Sequence, residues 1–247
     1  MCFLIVTQVE AQHQININAS LLPQSKSIVI EQELIYENNS DSTLNEIYLN
    51  DWANSFSTKN TPLAKRFAEN YQASFHFENN KNRGYTQIIK IDNSINKSLD
   101  WKRLSQLDII KVELDKKLLP GEEYILKLEY KIILPNDKFT RYGISKNGAV
   151  KVRYWYLSPA VFDKKWQIYS NKDLNDLYLA PSTFKIKFKY PEHYQLITDL
   201  NLVSESIDDK IKVTQLEGEH RMNVKLQFLK VSNYQILKTD KFIVSTN

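Results

Sequence analysis

The chain has 247 residues, of which 42% are hydrophobic and 25% charged, a globular rather than a disordered composition. Its 33 basic and 29 acidic side chains leave +4 with no long basic run, which argues against a dedicated nucleic-acid binder. Five glycines and no GxGxxG or Walker-type pattern disfavour a phosphate-cradling nucleotide fold, and the single Cys2 excludes a disulfide framework or a cysteine-based zinc cluster.

Residues 1–12 contain the apolar run Cys2 to Val6 and then Ala11 before Gln12 and His13. A clipped hydrophobic region followed by a small residue is the pattern of a truncated signal segment, so export to the periplasm, the cell surface or the medium is expected. No other stretch approaches the length of a transmembrane helix.

Beyond that point the pattern has period two, the mark of strands with one buried face. Strands are predicted at 14–20, 27–37, 44–50, 85–91, 149–156, 194–199, 210–216 and 222–231. Three more are read from alternation: Ile110 to Leu114, Tyr124 to Leu134, and Phe184 to Tyr190, where Lys185, Lys187 and Lys189 form the wet face. Between the first two of these lies Leu119-Pro120-Gly121-Glu122. Proline presets φ for the second position of a turn and glycine accepts positive φ at the third, so a type II turn is predicted.

One helix interrupts the strands, near 62–72. Thr61 suits the N-cap, Pro62 the first helical position, and Leu63, Phe67 and Tyr71 recur as an apolar stripe. The pattern as a whole predicts an all-β domain over 13–247, with antiparallel sheets packed as a sandwich or saddle.

The chemistry-bearing residues are sparse. His13, His76, His193 and His220 are all more than five residues apart and none lies in HExxH, so no helical metal pair forms. No GxSxG elbow exists, and the acid pairs Glu122-Glu123 and Asp208-Asp209 fall at turns. The residues themselves supply no catalytic constellation and no cofactor site. The unusual segment is 152–169, which packs Tyr154, Trp155, Tyr156, Phe162, Trp166 and Tyr169 into eighteen residues. A single sheet face cannot hide all of these rings, so Tyr154, Trp155, Phe162, Trp166 and Tyr169 are candidates for a docking surface.

That segment, Tyr154-Trp155-Tyr156-Leu157-Ser158-Pro159-Ala160-Val161-Phe162-Asp163 followed by Trp166, resembles the N-terminal domain of the zinc aminopeptidase (gluzincin) family. The family includes alanyl aminopeptidase and leukotriene hydrolase, and the likeness is to its secreted bacterial branch. Asp176-Leu177-Tyr178, the strand Phe184 to Tyr190 ending at Pro191, Leu118 to Tyr124 and Leu44 to Trp52 extend the resemblance over roughly 14–245.

The resemblance implies a saddle-shaped β domain that covers the substrate cleft of a thermolysin-like catalytic domain. That domain would hold the zinc through HExxH and a later Glu, and its cleft would take peptides. None of those elements occurs in this chain, which ends about where the catalytic domain would begin, so the chain is expected to be non-catalytic. Its expected partner is a metallopeptidase catalytic domain, with no nucleic acid and no transmembrane segment. The family's Gln-x-Glu loop, whose acid helps hold the substrate amine, falls at Tyr156, Ser158 and Pro159. These are the candidate cleft residues, although neither Gln nor Glu is present. The reading from a different class is a stand-alone β-sandwich binding or adhesion module of a secreted protein.

Overall fold

A computed structural model describes residues 13–173 and 177–230, and the backbone of two further short strands, Gln235–Lys238 and Ile243–Thr246. Residues 1–12, where a signal segment is expected from the sequence, Asp176 and the end of the chain lie outside the described residues.

In chain order the elements are β1 (His13–Leu22), β2 (Ser27–Glu37), β3 (Leu44–Asn50), a 3-10 turn at Trp52–Phe56, helix α1 (Pro62–Glu69), β4 (Tyr85–Asn93), β5 (Trp101–Arg103) and β6 (Ile109–Leu118). There follow β7 (Glu123–Ile133), β8 (Gly143–Ile144), β9 (Val150–Arg153), β10 (Ser158–Pro159), β11 (Val161–Asp163) and β12 (Lys165–Gln167). The last are β13 (Ser182–Pro191), β14 (Tyr194–Thr198), β15 (Asn201–Asp208), β16 (Ile211–Arg221), β17 (Lys225–Lys230) and the pair β18 (Gln235–Lys238) and β19 (Ile243–Thr246).

The largest sheet has seven strands in the order β15-β16-β13-β1-β2-β7-β4. Alternation sorts its faces as the sequence predicts. Ile15, Ile17, Ile28, Ile30, Leu126, Leu128, Phe184 and Phe188 are buried on one face, while Lys185, Lys187 and Lys189 stand on the other in water. Two four-stranded sheets, β10-β3-β6-β5 and β14-β17-β9-β8, add Leu49, Val112, Val152 and Phe228 to the same core. Burying each such side chain stabilises the fold by roughly 1.5–3 kcal/mol. The architecture is all-β; among the described strand ladders β1 runs parallel to β13, from His13 opposite Ser182 to Ser20 opposite Lys189, and the others are antiparallel.

The predicted helix forms where its caps place it. Thr61 Oγ1 accepts from the Ala64 N–H at 3.2 Å and donates to the Ser55 carbonyl at 2.6 Å. Its apolar stripe is shorter than expected. Leu63 and Phe67 are buried, but the helix ends at Glu69, and Tyr71 has φ 58 and faces solvent.

At Leu119-Pro120-Gly121-Glu122 the Glu122 N–H returns to the Leu119 carbonyl at 3.1 Å with Gly121 at φ 77, as a type II turn requires. Asp209 and Lys210 have positive φ in the tight β15–β16 turn, so the carboxylates there are hairpin residues in water. No helix among the described residues is long and apolar enough to cross a membrane.

Candidate functional site

The aromatic segment begins as β9 and stops being a strand at Tyr154, whose φ of 54 turns the chain inward. The strand predicted through 156 therefore ends at Arg153. Past the bend, Trp155 has no exposed surface and meets Tyr156 and Phe188 edge to face, while Tyr156 meets Phe184. Tyr154 is buried edge-on against Trp52. Tyr154 and Trp155 are thus core residues and present no docking surface. Several sheets converge on this segment, so the core takes up more rings than one sheet face could.

Leu157 is held at both backbone groups by side chains of the large sheet. Its N–H donates to Tyr130 Oη at 3.1 Å, and its carbonyl accepts from Gln32 Nε2 at 2.6 Å. Ser158 and Pro159 form β10 against β3, and the Asn50 amide reaches both Ser158 Oγ and the Pro159 carbonyl at 3.4 Å. Tyr156, Ser158 and Pro159, the candidate cleft residues, are all buried in this chain, which leaves none of them a free surface for substrate. Phe162 and Trp166 face each other across the β11–β12 hairpin at 5.2 Å, half-buried, with Trp166 also against Tyr36 and Tyr48.

Tyr169 alone of the docking candidates is exposed, at 53%. It stands edge to face with Tyr178, itself 52% exposed, on a surface groove of about 710 Å³. Leu177 and Met222 add apolar wall, and Asp163, Gln167 and Ser170 add polar rim. Exposed aromatics on a concave surface are the usual material of an interface.

Below the groove, the segment is fastened by a buried polar cluster. Trp52 Nε1 donates to the Tyr169 carbonyl at 3.0 Å. Ser170 Oγ and the Asn171 N–H donate to the two oxygens of Asp108 at 2.9 and 2.8 Å, and Asn171 Nδ2 donates to Ser55 Oγ at 2.8 Å. The Asp51 N–H donates to the Asp108 carbonyl at 2.8 Å, and the Asp51 carboxylate takes Arg103 and Thr86, each at 2.6 Å.

Burial pushes the Asp108 carboxyl up to about 7 despite its two donors, and it raises Asp51 against the pull of Arg103. Sequence reading missed Asp51, Arg103, Asp108, Tyr178 and Met222 as site residues. Which acid lies in the interior depends on contacts across many strands, and no local pattern marks it.

Zinc does not fit these residues. Among the described residues no three His, Cys, Asp or Glu side chains converge as metal ligands. His13 stacks on Tyr36 at 4.4 Å, and His76 Nε2 lies 2.9 Å from the Ala64 carbonyl. No step of zinc chemistry is assigned to this chain.

No protein-family model and no curated protein matches the sequence. Solved structures do. An M1 zinc metallopeptidase mutant from Deinococcus radiodurans superposes with a TM-score of 0.54 at 12% identity, over 96% of this chain and 46% of that one. A two-domain M1 zinc metallopeptidase mutant bound to L-arginine gives a TM-score of 0.53 at 13% identity over the same shares. The M1 zinc metallopeptidase from Deinococcus radiodurans gives 0.52 at 11% identity, again over 96% and 46%. The chain therefore spans about half the length of the solved structures it matches, and over that half it has the fold of the M1 zinc metallopeptidases.

Proposed function

We infer that this chain is the non-catalytic N-terminal β domain of an M1-type zinc metallopeptidase, serving to cover the substrate cleft of a catalytic domain. The observation that carries this reading is the match of nearly the whole chain to just under half of such an enzyme. In this reading zinc and the peptide-hydrolysing residues belong to the partner domain, and this chain contributes surface and shape. The groove around Tyr169 and Tyr178 supports it, because those rings are exposed while a buried cluster holds their backbone in place. Export, expected from residues 1–12, belongs to the same proposal.

Titrating the purified chain with an M1 catalytic domain tests this reading, with peptide hydrolysis and complex formation both measured. The chain alone is expected to be inactive and to form a complex that Tyr169→Ser with Tyr178→Ser weakens. Hydrolysis by the chain alone overturns the reading, and so does the absence of a complex with the catalytic domain, which leaves a binding module.

A further inference from the structure

We propose that the outer edge of β15 takes up an extended, basic segment of a partner protein as a further strand of the large sheet. β15 and β4 are the two edge strands of that sheet, and they are finished differently. The edge of β4 is closed by the chain itself. The Thr86 N–H donates to Asn54 Oδ1 at 3.1 Å, the Thr86 carbonyl accepts from Arg103 at 3.0 Å, and the Ile91 carbonyl accepts from the Leu99 N–H at 2.9 Å. On β15 every residue is exposed, and beyond its ladder to β16 no described residue bonds to its backbone. Every second residue of such a strand turns its N–H and C=O away from the sheet, a template that another extended chain matches. Residues 201–208 carry no Lys, Arg or Pro to blunt that template, and its one interruption is the bulge between Leu202 and Ser204.

The side chains beside this edge select what the incoming segment carries. Leu202 pairs with Leu216, and Ile207 pairs with Lys212, which lies opposite Tyr190. Leu216 and Tyr190 are buried, and paired residues share a face, so Leu202 and Ile207 stand on the core side of the sheet. They are nonetheless 62% and 58% exposed, with no strand beyond β15 to cover them. An added strand with apolar residues at alternate positions covers both, since alternate side chains of a strand share one face. The charge is set as well: from Leu200 to Asp209 the chain holds Glu205, Asp208 and Asp209 and no Lys or Arg. Lys212 reaches Glu205 at 3.8 Å, so a Lys or Arg of the partner gains most beside Asp208, as an opposite-charge pair across the ladder.

A second copy of this chain fits the edge poorly. Two identical antiparallel strands related by a two-fold axis centre on a residue that faces itself. Centred on Glu205, the pairing sets two carboxylates together; centred on Ser204 or Ser206, it sets each Glu205 against Val203 or Ile207 of the other copy. The acids of the hairpin then have no Lys or Arg of the other β15 to meet. A different strand, apolar on one side and basic on the other, meets neither difficulty. Strand addition of this kind draws its affinity from main-chain hydrogen bonds and its specificity from alternate side chains. The edge shares no residue with the Tyr169 groove, so its occupation does not depend on a catalytic partner.

The test is fluorescence anisotropy of a labelled peptide in which Val alternates with Lys and Thr, titrated with the full chain. Two further versions are N-methylated at the odd or at the even residues, which strips the donors from one edge of the peptide, and a third carries Glu for Lys. Binding of the parent peptide is expected, with a loss of about tenfold or more in at least one methylated version and in the Glu version. Leu202→Lys with Ile207→Lys, both at exposed positions, should weaken the parent peptide about tenfold, because Lys on an edge strand opposes pairing. Tyr85→Lys with Ile89→Lys, also exposed but on the closed edge of β4, should leave it unchanged. Circular dichroism melting of each variant checks that the fold persists. No binding of the parent peptide, undiminished binding of both methylated versions, or equal loss from the two variant pairs overturns the proposal. So does sedimentation showing a dimer of the chain alone that Leu202→Lys with Ile207→Lys dissolves, since a second copy would then hold the edge.

Discussion

Tyr130 donates its hydroxyl proton to Gln32 Oε1 at 2.5 Å, and the two side chains, on neighbouring strands of the large sheet, close a ring of three hydrogen bonds with the backbone of Leu157. The ring is wholly buried. It fixes the point at which the aromatic segment leaves β9 and crosses to β3, and so it sets where the Tyr169 groove lies.

Removing one member leaves buried groups without partners. Gln32→Leu strands the Leu157 carbonyl, and each unsatisfied buried group costs roughly 1–3 kcal/mol. Tyr130→Phe strands the Leu157 N–H and the Gln32 oxygen and should cost about as much. Urea unfolding of both single variants and the double measures this. The double should fall well short of the sum, because the second change removes a group already without a partner.

Arg103 is the only cation within ion-pair distance of Asp51 among the described residues. Breaking a buried pair by removing one partner costs roughly 3–5 kcal/mol. Arg103→Met is therefore expected to be among the most destabilising changes in the chain, and Arg103→Met with Asp51→Asn to recover part of the loss. Thermal melts of the two variants decide it, and equal midpoints would remove the pair from the account.

Two buried groups give opposite pH dependences. Burial lowers His13 to about 4, so its neutral form is favoured by folding; that stability is full above pH 6.5 and is lost as pH falls toward 4. Asp108 is raised to about 7 from 3.8, so its contribution is full below 3.8 and is lost as pH rises through 7. Between pH 4 and 6.5 the two slopes oppose each other. His13→Phe, which keeps the stack on Tyr36, should leave stability falling as pH rises across this window. Asp108→Asn should leave it rising. Denaturant midpoints at a series of pH values report both, and a flat profile in His13→Phe would show that Asp108 does not titrate there.

At the Pro120-Gly121 turn a side chain meets no steric obstacle, since nothing lies within 4 Å of a Cβ at Gly121. The penalty is conformational only, from φ 77, and Gly121→Val should cost on the order of 1 kcal/mol or more. Glu122→Ala, which loses the Glu122 carboxylate's bond to the Leu119 N–H at the surface, should cost less. The order of the two denaturation midpoints checks the turn.

Strands with a clean alternation were legible: β2 and β3 occupy the residues their patterns mark, 27–37 and 44–50. The helix start was legible from Thr61 and Pro62, because capping is local chemistry. Its end was not, since nothing in Asn70-Tyr71 announces a left-handed tyrosine. The same holds at Tyr154, where a positive φ held by tertiary packing ends β9 early. Strand β15 was missed because all eight of its residues are exposed, leaving no buried face to imprint a pattern. The groove was legible only through Tyr169. Tyr154, Trp155 and Tyr156 resemble interface residues in one dimension, and the convergence of several sheets makes them core.

The parallel contact of β1 with β13 carries a kinetic consequence. Its partners are separated by roughly 170 residues of chain, and contacts so distant in sequence form slowly. During synthesis β1 emerges well before β13 and can pair with β2 at once, yet its second edge stays open until Ser182–Pro191 has left the ribosome. For that interval the central strand of the molecule is an outermost one, presenting Ile15, Ile17 and Leu21 beside a row of unpaired amides. A chain halted before residue 191 is expected to seek that pairing elsewhere, in a chaperone or in another nascent copy.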